Sequence, residues 1–239
     1  MNRDDAPAPL SEARLARRPL LGMAALLGFA VPALRRGPRA NPDEAVLDFE
    51  GFLREAVPVA NDLIGDTSRI GQDRYLFALA SLAACLRDVP VPEMRASQDS
   101  PPRTFLGAND CDAPFTVLHW RMEPGSRIGA HPHIYGNVVT LCLEGEVRIE
   151  NHEMVGEPDF DTREAFTVRR VNDQVLLPGG LNLVSLEHGY VHGFEAGPAG
   201  ARGLDITTRI RPKRTTPTLL VGPARDAARC LFEGRWKHE

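Results

Sequence analysis

The sequence predicts a mainly β fold, a small antiparallel barrel or sandwich with two N-terminal helices packed on its outside. Two observations carry that expectation. Apolar residues recur at helical spacing up to about residue 88, and from Phe105 to Ile210 they fall into short β-rich runs. Pro-Gly, Glu-Gly-Glu and Gly-Gly separate those runs, as the turns of an all-β domain would. At 239 residues the chain is long enough to bury one full core.

Residues 1–40 read as a leader. Paired Arg17 and Arg18 precede a modestly apolar stretch ending at Leu34, the pattern of a twin-arginine-type signal or, failing that, of a disordered extension. Export to the periplasm is the expectation. The stretch is too short and too interrupted to span a membrane. Residues 41–102 read as a helical segment and a linker. Asn41 can cap a helix, Pro42 suits its first turn, and Val46, Phe49, Leu53 and Val57 continue it, so a helix is expected over 42–57. "RYLFALASLAACLRD" predicts a second, largely buried helix over 74–88, and the Pro-rich 89–102 is the linker. The barrel is expected over 103–212, with strands in "PFTVLHWRM", "NVVTLCLEG", "EVRIENHE", "AFTVRRV", "QVLLPGG", "NLVSLE", "VHGFEA" and "GLDITTRI". Residues 213–239 are left as a C-terminal extension.

Composition narrows the function classes. Lys and Arg total 28 against 32 Asp and Glu, a net charge of −4, which argues against a nucleic-acid surface. Only Lys213 and Lys237 among the basic residues are lysines, a bias that fits a GC-rich genome. Cys85, Cys111, Cys142 and Cys230 are far apart and form no CxxC, so a disulfide framework is not expected.

The chemistry sits in "AHPHIYGNVVTLCLEGEVRIE", residues 130–150. Alternate strand residues share a face, so His131 and His133 would project together. His192 stands in "LEHGYVHGF". Gly125, five residues, His131, one residue, His133, eleven residues and Gly145 make a spacing that resembles the first motif of the cupin superfamily. Within it the stretch resembles the thiol dioxygenases, the cysteine dioxygenase group. Cupins usually carry a Glu where Asn137 and Val138 stand; its loss is a feature of thiol dioxygenases.

That resemblance implies a cupin barrel and a metal held by His131, His133 and His192. It implies Fe(II) with O2 as co-substrate, and a small thiol, also a carboxylate, oxidised to a sulfinate. Arg103 falls near the family's carboxylate-binding arginine, allowing a two-residue insertion, and an arginine fork suits that role. The plainer reading of Arg103 is a surface residue. His188 and Tyr190 flank His192 as candidate hydrogen-bond donors near the reacting oxygen, with packing beside the ligand as the plainer role. Val138 and Thr207 replace the family's cross-linked cysteine and tyrosine, and Asp205 and Thr207 stand where its network has His and Tyr. Two other readings stay open: a three-histidine zinc or nickel hydrolase, lyase or isomerase, and a non-catalytic cupin that binds a small molecule.

Overall fold

Asp48 opens the first helix, its carboxylate accepting from the Gly51 N–H at 2.7 Å. In this computed structural model, which describes residues 46–97, 101–109, 114–212 and 215–238, helix α1 spans Phe49–Gly65 and α2 spans Arg69–Cys85. The expected twin-arginine-type segment lies outside the described residues. Both helices are offset from the sequence expectation, because the local caps decide the starts. Asp48 stops α1 from beginning at 42, and Ser68 starts α2 well before 74 by accepting from the Gly71 N–H. Pro58 sits inside α1 and removes one backbone donor there, so the Arg54 carbonyl does not accept the usual intrahelical N–H. Among the described residues no helix is long and apolar enough to cross a membrane.

The strands are β1 (Arg95–Ala96), β2 (Thr104–Ala108), β3 (Phe115–Met122), β4 (Arg127–Pro132), β5 (Gly136–Met154), β6 (Phe166–Leu176), β7 (Leu181–Val184), β8 (Val191–Arg209), β9 (Thr218–Asp226) and β10 (Leu231–Lys237). Two of them are long, and they organise the rest. The sequence reading split each into two strands. Instead β5 runs unbroken through Glu144-Gly145-Glu146, and β8 through Gly200. Their far halves pair with each other and with β3 and β7. Their near halves pair with each other and with β4 and β6. Each long strand therefore bends from one sheet of the barrel into the other, which is the cupin-type jelly roll.

Gly145 makes the bend in β5. Its φ is +70°, and a Cβ there would lie 2.1 Å from the Gly200 carbonyl oxygen. Gly145→Ala should therefore destabilise the protein by about 3 kcal/mol or more, combining left-handed strain with a backbone clash. The reading is a lower urea midpoint at unchanged slope.

Helices and barrel meet on one face of the first sheet. Phe52, Leu63, Leu79 and Leu86 pack with Phe115, Val117, Val139, Leu141, Leu204 and Ile206, all nearly or fully buried. Each such side chain contributes about 1.5–3 kcal/mol by leaving water. The opposite face looks inward, so residues 136–142 are buried on both sides and show no alternation. A second core of Trp120, Met122, Cys142, Val147, Ile149 and Phe194 fills the space between the sheets.

Residues beyond 213, set apart from the barrel in the sequence reading, supply two strands. β9 pairs with β4 at Ala130–Leu219, and β10 pairs with β9 and β6. They close a ring β5–β8–β4–β9–β10–β6 around a third core of Val168, Tyr190, Val191, Leu219 and Trp236. The sheet carrying the histidines thus has an apolar core behind it as well as in front.

Candidate metal centre

Two paired strands, β4 and β8, and the segment just past β4 bring three imidazoles together. On β4, Ile128 is opposite Phe194 of β8 and His131 is opposite His192, so two residues of β4, Gly129 and Ala130, face one of β8, Gly193. This β-bulge at Gly129-Ala130 re-aims the strand. Ala130 turns to the third core, while His131 turns inward with Ile128. Gly193 allows the close approach, because a Cβ there would be 3.1 Å from the N, Cα and Cβ atoms of Ala130. His133 lies just past the end of β4, its N–H donating to the Tyr190 carbonyl at 2.7 Å.

The ring nitrogens converge. His133 Nε2 is 3.2 Å from His131 Nε2 and 2.9 Å from His192 Nε2. The three ligand atoms all lie within 4.8 Å of one another, and no carboxylate belongs to the group. Nitrogen donors about 2.1 Å from one ion and at right angles to each other would be separated by about 3.0 Å, so the spacing fits a shared cation. His131 Nδ1 donates to the Gly129 carbonyl at 2.9 Å, which leaves its lone pair at Nε2, facing the others. The Nδ1 atoms of His133 and His192 are buried without a hydrogen-bond partner.

Electrostatics favour neutral rings. Burial holds His192 well below the ordinary imidazole range, and the neighbouring His133 and His131 add to it. His133 is lowered well below that range by burial and then by His131. Burial also lowers His131, partly opposed by its bond to the Gly129 carbonyl. Neutral imidazoles can each turn a lone pair to one point, and a cation placed between the three Nε2 atoms would accept all three. A metal ion is therefore the group this donor set fits. Phe194 forms the apolar wall, its ring centroid 4.6 Å from His192 and 6.5 Å from His131.

The other sequence-predicted residues have partners of their own. Tyr190 turns its ring into the third core, 5.7 Å from Phe160, and its Oη accepts from the Met154 N–H at 2.7 Å. Only its main-chain carbonyl reaches the centre, through His133. His188 is exposed at a cavity rim, its Nδ1 3.6 Å from Glu153 Oε1. Arg103 precedes β2, its N–H donating to Glu123 Oε2 at 2.8 Å and its carbonyl accepting from the Glu123 N–H. It is not one of the group of three.

Sequence reasoning singled out Val138 and Asp205 but missed two sets of contacts in the interior. Val138, Thr140 and Asp205 share the inward face of the first sheet, and Thr140 Oγ1 donates to Asp205 Oδ1 at 2.6 Å. Asn151, directly across from His192, bonds Asn172 and Asn182. These residues are distant in sequence and carry no local motif.

No protein-family model matches the chain, and no curated protein matches it. Solved structures overlap part of it at low similarity. The coconut allergen cocosin is 19% identical with a TM-score of 0.40, over 54% of this chain and 31% of that one, so this chain spans about a third of the allergen's length. KdgF from Halomonas sp. is 14% identical with a TM-score of 0.35, over 48% of this chain and 88% of that one. An uncharacterized conserved protein with a double-stranded β-helix domain from Klebsiella pneumoniae subsp. pneumoniae is 16% identical with a TM-score of 0.37, over 51% of this chain and 83% of that one.

Proposed function

We propose that the protein is a metal-dependent enzyme, a non-haem iron(II) dioxygenase that converts a small thiol to a sulfinate. The observation that carries this reading is the convergence of three neutral imidazole nitrogens without a carboxylate. Asn137 and Val138 hold the positions of the usual cupin Glu; both are fully buried, Val138 faces inward, and neither offers a carboxylate. Iron(II) held by His131, His133 and His192 supplies the redox chemistry by which both oxygen atoms of dioxygen are added to a thiol sulfur.

The chain's own contribution is charge and position. Because no ligand is anionic, the positive charge of the centre is left for the substrate, which favours a thiolate. Phe194 and the core behind it exclude water from that side. Tyr190 is a positioning residue, holding the backbone of His133 through its carbonyl. Arg103 is assigned to a substrate carboxylate. Arg103→Ala should then raise KM for carboxylate-bearing thiols about 10- to 100-fold with kcat little changed. An unaltered KM for every such thiol removes that role.

The decisive experiment combines metal analysis of protein purified without added metal with oxygen uptake across a panel of small thiols. The proposal expects iron, thiol-dependent uptake, and one sulfinate formed for each dioxygen consumed. Three histidines also make a good zinc or nickel site, which is the basis of the second reading, a hydrolase, lyase or isomerase. Zinc or nickel in the protein, with no thiol oxidised by the iron-loaded form, puts that reading first.

A further inference from the structure

A cavity of about 480 Å³ opens where β5, β6 and β7 meet the loop before β8. That volume is within the roughly 300–1,000 Å³ of small-molecule sites. None of the three histidines lines it, so it is separate from the reading of the metal centre. Its nearest link to them is Asn151, which sits across the strand pair from His192.

The walls are dominated by carboxamides. Asn151 is buried with its amide fully used: Nδ2 donates to Asn182 Oδ1 at 3.3 Å and to the Gly189 carbonyl at 3.1 Å. Its Oδ1 accepts from Asn182 at 2.7 Å and from Asn172 at 3.0 Å. A buried amide is costly unless satisfied, and this one is satisfied by other amides rather than by apolar replacement. The result is a fixed scaffold that holds Asn172 and Asn182 in place.

What the scaffold leaves over is informative. Asn172 retains its carbonyl oxygen and one N–H, and Gln174, whose Nε2 donates to the Leu181 carbonyl, retains its Oε1. Glu153 accepts from the Gly189 N–H with Oε1 and keeps Oε2. Donors and acceptors are therefore mixed, with one carboxylate and no lysine or arginine in the lining. Val171 and Leu183 supply apolar surface beside them. A carboxylate or phosphate would meet Glu153 and neither a lysine nor an arginine. A hydroxyl both donates and accepts, so an array of hydroxyls on a compact carbon ring matches this wall.

We infer that the cavity binds a neutral, hydroxyl-rich small molecule of the monosaccharide class, held by Asn172, Gln174 and Glu153. His188, 3.6 Å from Glu153, stands at the rim and closes one side.

The test uses the full chain without metal, titrated with glucose, galactose, xylose and sorbitol and, as the charged comparator, glucuronate. Saturation-transfer NMR and calorimetry read the binding. At least one neutral probe should bind in the millimolar range or tighter, and glucuronate should bind about tenfold more weakly than glucose. Asn172→Ala and Gln174→Ala, both at half-exposed positions, should each weaken the neutral probe about tenfold by removing a hydrogen-bonding partner. Glu153→Gln should narrow the gap between glucose and glucuronate. The inference is overturned if no neutral probe binds, if glucuronate binds as well as glucose, or if neither alanine variant changes the affinity while circular dichroism shows both folded. Because no metal is present, these outcomes are independent of the thiol assay.

Discussion

His192→Ala should strip the centre of its metal. His192 is fully buried, its Nε2 lies 2.9 Å from that of His133, and among the described residues no fourth His, Cys, Asp or Glu belongs to the group. Losing a mere outer-shell partner of a metal ligand already weakens affinity about 10- to 100-fold, and losing the ligand itself should exceed that. Metal content should fall from about one per chain to a small fraction, and any metal-dependent turnover should fall at least about 100-fold with it. Stability gives a readout that does not depend on the reaction. Metal at about 1,000 times its dissociation constant should stabilise the native protein by about 4 kcal/mol, and the variant should show no metal-dependent shift of Tm. Near-UV circular dichroism of the metal-free variant controls for folding. A folded variant that still takes up one ion and keeps the shift would show that His131 and His133 do not share a site with His192.

His131 and His133 were legible because cupin-like spacing ties them to Gly125 and Gly145 over a short stretch, and His192 only through the resemblance to the thiol dioxygenases. The reason for their convergence was not. Simple strand alternation places His131 and His133 on one face, but the structure reaches that outcome differently. A bulge at Gly129-Ala130 turns His131 inward, and His133 is past the end of β4, held by the Tyr190 carbonyl. Glu144-Gly145-Glu146 reads as a hairpin turn because a turn and a corner within a strand both use a glycine at positive φ. Only the pairing of β5 with β8 on both sides of Gly145 separates the two cases, and pairing is not a local property. The helix starts were legible in principle, since Asp48 and Ser68 are ordinary caps, but Asn41-Pro42 offered a competing signal upstream. The amide cluster was beyond reach, because Asn151, Asn172 and Asn182 meet only through the fold.

Asp205 should make stability fall as pH rises through the weakly acidic range. The carboxyl faces into the barrel and is buried, and burial pushes its pKa from the ordinary 3.8 up to about 6, with Thr140 and Trp120 only partly opposing the rise. Below pH 3.8 the group is protonated in both the folded and the unfolded chain and has no effect. Between 3.8 and about 6 the unfolded chain releases the proton while the folded one keeps it, so stability declines with pH. Above about 6 the folded protein holds a buried carboxylate and the loss is complete, at roughly 3 kcal/mol. Asp205→Asn removes the titration and keeps an oxygen that can accept from Thr140. Relative to the native chain, the variant should therefore gain stability progressively from about pH 4 to pH 6 and hold that gain to pH 8. The three histidines also titrate in acid, but they are common to both chains and cancel in the difference. Urea unfolding of the two metal-free proteins at each pH measures it. A difference that stays flat from pH 4 to pH 8 would mean that Asp205 is as well solvated in the folded barrel as in the unfolded chain.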